Sequence, residues 1–466
     1  MKRPVGLALV VVAASATALT LPAQAGSGVR TFSTPIHVDA SAANQTGEPS
    51  IAVAADGTEY IVAPDGAGVR TPSALGGGGS GGSLVWRSDN RGRSWIFLGS
   101  YDVPTGGGDS DIAVAPNGTL YASGLSYAAC STIGVSTDKG QTWIDDPLAG
   151  CGKIPVLNDR QWTATYGNTV VNTAIGDSAE GNIDFVHSSL TSPLVVPSTT
   201  LELYSAGDYQ WPGTLAVDQR NGTSYVVWNT TGSPNNCDQT SGAASCAPTS
   251  ASTQTPDRIY VSAVPNGATS APTPRVVASR KFDTFDSFVS DAVDKAGNVY
   301  VVWNERHPAQ QQTWTMLSVS RNGGRTWSVP VKVQRSPSTT VFPWVTAGDA
   351  GRIAVSYYGT TARGNSPQKL PAKATWSVYS SFSTDYGRTF REYRTTGTMQ
   401  KGPICTSGTG CATGSRNVLD FFETAADPQG CLVTTYADNS ANGNAAIVSY
   451  VRQTSGPGLR SSVSCR

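Results

Sequence analysis

Three arginines, Arg160, Arg306 and Arg416, stand where their planar forks suit a carboxylate ligand. Glu305 and Tyr357, or the adjacent Tyr358, supply the parts of a Tyr–Glu pair in which the carboxylate takes the phenolic proton and leaves a nucleophilic oxygen. Asp111 and Asp159 are the candidates for acid/base work beside them. Trp211 and Trp344 offer flat apolar faces on which a sugar ring stacks. The chemistry this set serves is the binding and cleavage of an acidic sugar, with Asp111, Asp159, Glu305 and Tyr357 as catalytic candidates and the arginines and tryptophans holding substrate. His307, in Asn304-Glu-Arg-His-Pro, offers a different proton-transfer group. With Arg160, Arg306 and Tyr357 it would serve a lyase acting on uronates equally well. The ordinary use of such residues stays open beside both readings: acids at strand starts cap loops, and an arginine near an aspartate forms an ion pair.

Composition narrows the partners. The chain carries 33 basic and 33 acidic side chains, so it lacks the basic surplus that binding to nucleic acid requires. With only three histidines and no Cys-x-x-Cys pair, no metal site is expected, and no cofactor. The 50 glycines and 28 prolines, with no long amphipathic runs of Leu, Glu and Lys, describe short strands joined by many turns.

The elements that must position these residues repeat. An apolar strand, a Gly/Asn/Asp turn and a second apolar strand appear first in the run from Pro49 to Val62 and return in the run from Ser110 to Ser123. Further copies begin near Arg160, Gly213, Ser290, Trp344 and Phe422, which makes seven. Their spacing of roughly 50–75 residues fits one four-stranded propeller blade per copy. The Ala/Val/Ile-rich runs suit the two inner strands, A and B, buried on both faces between neighbouring blades. An all-β propeller of seven blades is therefore expected, with six as the alternative. Ligands of propellers usually bind on the face made by D–A and B–C loops. The candidates above all lie at A-strand starts or B-strand ends, together with Glu48, Asp109 and Asp420.

A second motif, Ser-x-Asp-x-Gly-x-Thr-Trp, falls between the C and D strands. It reads Ser136-Thr-Asp138-Lys-Gly140-Gln-Thr142-Trp143 and Ser383-Thr-Asp385-Tyr-Gly387-Arg-Thr389-Phe390. Two variants carry Asn: Ser88-Asp-Asn90-Arg-Gly92-Arg-Ser94-Trp95 and Ser320-Arg-Asn322-Gly-Gly324-Arg-Thr326-Trp327. The carboxylate or amide accepts backbone N–H bonds, Gly supplies a positive φ, and the aromatic plugs the turn onto the blade. These four motifs and the blade pattern resemble the sialidase superfamily, whose members carry Asp-box (BNR) repeats. The resemblance spans nearly the whole chain and implies a propeller that acts on glycans, as a glycoside hydrolase of exo-α-sialidase type. It also implies three arginines on the sugar carboxylate, a Tyr–Glu nucleophile and an aspartate acid/base. Sialidases are six-bladed and carry an Arg-Ile-Pro segment, which this sequence lacks. A polysaccharide lyase and a non-catalytic binding propeller remain as alternatives.

The ends of the chain read as export and closure. Lys2 and Arg3, the apolar run from Val5 to Leu19 and the small-x-small site Ala23-Gln24-Ala25 describe a signal peptide over residues 1–25. Residues 26–466 then form a single propeller domain, secreted, expected as a monomer, with an extracellular glycan or polysaccharide as partner and no membrane association. The last copy lacks a fourth strand, and pairing Val29–Val38 there would close the ring and cover two sheet edges. Eight cysteines in an exported chain imply disulfides, and sequence proximity suggests Cys130–Cys151, Cys237–Cys246, Cys405–Cys411 and Cys431–Cys465.

Overall fold

The structure, a computed structural model, describes residues 1, 28–38, 46–65, 82–102, 106–126, 130–151, 158–177, 182–192, 194–204, 210–230, 257–284, 288–406, 411, 416–440, 446–461 and 463–466. Seven antiparallel sheets follow one another along the chain as the blades of a propeller. Their innermost A strands are Ser50–Val53, Gly106–Val114, Asn158–Tyr166, Gln210–Asp218, Ser290–Val293, Thr339–Ala347 and Glu423–Ala426. The B strands are Glu59–Pro64, Leu120–Ser126, Val170–Asp177, Thr223–Thr230, Val299–His307, Ile353–Thr360 and Leu432–Asp438. The expected count of seven, and the all-β class, are what the structure has.

Packing between blades follows the two-residue period of a strand. In the B strand of blade five, Val299, Val301 and Trp303 join a cluster with Tyr225, Val227 and Ile259 of blade four. Tyr300 and Val302 of the same strand join Val355, Tyr357 and Tyr379 of blade six. Both faces of this strand are thus apolar, which is why it reads as a continuous rather than an alternating run.

The ring closes with strands from both ends of the chain. Ile447–Pro457, strand C of blade seven, pairs antiparallel with Thr31–Phe32 and with Ile36–His37. The expected closing strand is therefore present, but in two pieces around Pro35, which has no N–H to give to a ladder. Ser464–Cys465 also pairs on Ile447–Pro457, and Cys431–Cys465 ties this tail to the A–B turn of blade seven. Cys130–Cys151 joins the start of strand C to the end of strand D in blade two, and Cys405–Cys411 closes a short loop. Three of the four expected disulfides are thus formed; they are bonds that persist in oxidising compartments. Cys237, Cys246 and residues 2–25 of the expected export segment lie outside the described residues. No helix among the described residues is long and apolar enough to cross a membrane.

The four Ser-x-Asp/Asn-x-Gly turns sit between strands C and D of blades one, two, five and six. In blade two, Asp138 Oδ1 accepts from the N–H groups of Gln141 (3.0 Å) and Thr142 (2.9 Å), and Ser136 Oγ accepts from Gly140 N–H at 2.9 Å. Each turn packs on the preceding blade: Gly92 on Tyr450, Gly140 on Leu98, Gly324 on Tyr225 and Gly387 on Leu317. The turns are structural pins between blades on the face opposite the D–A loops.

Candidate functional site at the axial mouth

The entries of the A strands are irregular in a regular way. Register shifts interrupt the A–B pairing between Gly108 and Asp111, Asn158 and Gln161, Pro212 and Leu215, and Val341 and Trp344. Within three of these bulges a non-glycine residue holds a left-handed backbone: Asp109 (φ 38°), Arg160 (φ 83°) and Phe342 (φ 54°). Glu48 (φ 49°) does so two residues before the A strand of blade one. Such conformations cost on the order of 1–3 kcal/mol each and persist only where the surroundings impose them. Bulges re-aim the side chains that they carry.

Below these entries lies an axial cavity of about 160 Å³, lined by Asp111, Asp291, Glu423, Trp162, Trp344, Thr163, Thr214 and Thr424 with apolar neighbours. The Ser50 hydroxyl lies 2.7 Å from Asp111 Oδ1 and 2.7 Å from Glu423 Oε2. Asp111 also accepts from the N–H groups of Ile112 (2.9 Å) and Thr163 (2.6 Å). Burial raises the Asp111 pKa, against the pull of Arg160 and the Thr163 N–H. Burial, reinforced by the Asp111 charge, holds Glu423 well above the ordinary carboxylate range. Asp291 accepts from Thr214 Oγ1 at 2.6 Å, and burial pushes its carboxyl up to about 7.

Arg160 packs behind Trp162, one of the residues that line this cavity. Its guanidinium packs 3.8 Å from the centre of the Phe421 ring and 4.3 Å from that of Trp162. The residue is 1% exposed, and Nε and both terminal nitrogens have no hydrogen-bond partner among the described residues. Arg416 is already engaged: it pairs with Asp420, and with Glu48 at 3.4 Å. Burial opposes its charge, but Asp420 and Glu48 outweigh burial and raise its pKa. Glu48 is pushed well above its usual value by burial and by Asp109, while Arg416 and Arg160 pull it down. One mouth thus gathers Arg160, Arg416, Glu48, Asp109 and Asp420 from the entries of blades one, two, three and seven.

The structure does not bring the other expected groups there. Arg306 lies 3.5 Å from Asp283. Glu305 is fully buried and bonded to Arg280 (2.5 Å), Trp303 (2.8 Å) and His307 (3.2 Å). The Tyr357 hydroxyl bonds Glu392 at 2.7 Å, not Glu305. The pairing of Tyr357 with Glu305 is corrected by strand parity: Glu305 shares the odd-numbered side that faces blade four, whereas Tyr357 faces blade five, so blade five itself stands between them. Tyr358 sits in the cluster shared with blade seven. His307 is sandwiched between Phe282, in the loop from blade four to blade five, and Trp314 of blade five. Trp211 stacks on Phe288 beside the mouth, and Trp344 lines the cavity. Asp159 is in the A strand of blade three, but its side chain lies outside the described residues. Sequence reasoning missed Ser50, Glu423 and Asp291. An alignment of the seven copies holds the signal for Glu423, which opens its A strand as Ser50 and Ser290 open theirs. Among the described residues no group of three or more His, Cys, Asp or Glu side chains is arranged to hold a metal ion.

No family model and no curated protein matches the chain. Solved structures do. A Dyadobacter fermentans protein of unknown function is similar over 91% of this chain and 98% of its own, at 12% identity and a TM-score of 0.50. An α-L-arabinofuranosidase from Fusarium graminearum covers 70% of this chain and 93% of its own, at 15% identity and a TM-score of 0.47. A polysaccharide lyase that acts on ulvan covers 75% and 79%, at 12% identity and a TM-score of 0.40. At these identities the likeness is one of fold.

Proposed function

We propose that this chain is an exported carbohydrate-active propeller, a glycoside hydrolase that takes the terminal acidic sugar of a glycan at the axial mouth. The observation that carries this reading is Arg160: a buried guanidinium without a hydrogen-bond partner among the described residues, on a left-handed backbone, beside a cavity lined with carboxyl groups. A buried guanidinium with no hydrogen bond is costly even where nearby carboxyl groups attract it, and a ligand carboxylate would supply the missing fork of two hydrogen bonds. Trp344 and Trp211 present flat faces near the same opening, which suits a sugar ring. The cavity is smaller than the ~300–1,000 Å³ of pockets that enclose drug-sized ligands, so it fits one terminal unit better than a length of chain. Sialidase-type activity is the finer form of this reading. It rests on the four turn motifs and on Arg160, since Arg416 is engaged by Asp420 and Glu48 and Arg306 by Asp283.

The test is a glycan array on the mature protein, followed by titration with an acidic glycan and its neutral analogue. Charge-assisted hydrogen bonds are worth ~1.5–3 kcal/mol each. Arg160→Ala is therefore expected to weaken acidic-glycan binding by more than about tenfold while leaving the neutral analogue little changed. Equal loss for both ligands refutes the assignment. A product with an unsaturated uronate would turn the reading towards a lyase.

A further inference from the structure

We propose that Asp111 and Glu423, bridged by the Ser50 hydroxyl, form an acid–base pair sharing one proton, in which Glu423 donates that proton to the glycosidic oxygen and Asp111 attacks the anomeric carbon. This rests on the glycan-cleaving reading above. The three residues come from blades two, seven and one, and only closure of the ring makes them neighbours.

Ser50 lies 2.7 Å from each of two carboxyl groups but has one hydroxyl hydrogen, so it donates to one and accepts from the other. The asymmetry of the partners decides the direction. Asp111 receives two backbone N–H bonds, both under 3 Å, which favour its anion. Glu423 Oε2 receives one longer bond, from Ile51 N–H at 3.2 Å. Its Oε1 is buried with no partner among the described residues, a place where an ionised carboxylate is costly. The chain of donation therefore runs from the Glu423 acid to Ser50 and from Ser50 to the Asp111 anion. Since both oxygens lie 2.7 Å from Ser50 Oγ, they are at most about 5.4 Å apart, closer than the ~6.5–9.5 Å that inverting glycosidases keep between their carboxyl groups and so on the retaining side of that division. Both residues line the axial cavity.

The step balances. Glu423 gives its proton to the glycosidic oxygen as the anomeric C–O bond breaks, and the leaving group departs as an alcohol. Asp111 forms an ester bond to the anomeric carbon. Water then attacks that carbon, passes a proton to Glu423 and frees Asp111. One glycosidic bond and one water are consumed, two hydroxyl-bearing products form, and the anomeric configuration is retained. Ser50 touches neither bond; it is a positioning residue that holds the proton on Glu423.

Two measurements on the mature protein test this. Infrared difference spectra at neutral pH are expected to lose a carboxylic-acid C=O band in Glu423→Gln and a carboxylate band in Asp111→Asn. An unchanged acid band in Glu423→Gln overturns the proton assignment. Hydrolysis of 4-methylumbelliferyl glycosides of N-acetylneuraminic acid and glucuronic acid is expected to fall by about 100-fold or more in Glu423→Gln. The loss should be smaller for 2,4-dinitrophenyl glycosides, whose leaving group needs no proton. Ser50→Ala is expected to shift the pH profile more than KM. Hydrolysis retained in Glu423→Gln overturns the pair. A wild-type protein that binds these acidic sugars but cleaves neither also overturns it, while leaving the binding reading intact. Failure to bind either sugar overturns the reading on which the pair rests.

Discussion

Asp291 shows how one buried side chain writes itself into the behaviour of the molecule. It sits in the axial cavity with one oxygen bonded to Thr214 and the other buried without a partner among the described residues. Its carboxyl titrates at about 7, far above the ordinary aspartate value of ~4. Between these two values the folded protein holds a proton that the unfolded chain has released. The unfolded state then binds fewer protons, so stability falls as pH rises from ~4 to ~7 and levels off above. Asp291→Asn should remove this part of the slope. Urea unfolding is expected to show the variant gaining on the wild type from pH 5 to pH 8, and equal differences at the two pH values would contradict the assignment. Glu305 teaches the opposite lesson at the same scale. It is a buried acid at the expected end of a B strand, yet His307 and Arg280 hold its pKa down against burial, and its contact with Arg280 is an ion pair between blades four and five.

At the scale of the element, the turn motifs and the A-strand bulges divide the work between the two faces. A turn such as Ser88–Trp95 is specified locally, by side-chain oxygens bonding backbone N–H groups within four residues. Its glycine has a tertiary reason as well. A Cβ on Gly92 would stand 2.1 Å from the Tyr450 ring, and the residue is at φ 70°. Gly57, at φ 88° in the A–B turn of blade one, would meet nothing within 4 Å. Gly92→Ala is therefore expected to cost ~2–4 kcal/mol, combining backbone strain with a displaced aromatic, against ~1 kcal/mol for Gly57→Ala. Thermal melts of the two variants compare them directly, and equal losses would mean that Tyr450 yields freely. The bulges had no comparable signature in the sequence, because a one-residue register shift is settled by the partner strand and not by the shifted strand alone.

For the whole molecule, the first and last strands decide whether the ring exists. Strand Ile447–Pro457 is covered by N-terminal residues on one stretch and by Ser464–Cys465 on another. The bond from Cys431 to Cys465 spans a separation of 34 residues. A loop of that length is worth ~3–4 kcal/mol in the chain-entropy model. The double variant Cys431→Ser, Cys465→Ser should lose about that much on denaturant unfolding, with a greater tendency to aggregate through the loosened sheet edge. A loss under about 1 kcal/mol would mean that strand pairing alone secures the closure.

Legible along the chain are the features that repeat locally: seven strand–turn–strand units, four Ser-x-Asp/Asn-x-Gly turns, and a missing outer strand at one end matched by a spare strand at the other. Each is written in contiguous residues whose hydrogen bonds and packing recur from blade to blade. The tertiary structure alone decided which side chains meet at the axis. Strands buried on both faces show no contrast between apolar and polar sides, so the sequence held no sign that Glu305 and Tyr357 face different blades. Bulges then turn the A-strand entries, and ring closure sets Glu423 beside Ser50 and Asp111 from opposite ends of the chain. These contacts depend on the angles of seven blades taken together, a quantity that no single segment encodes.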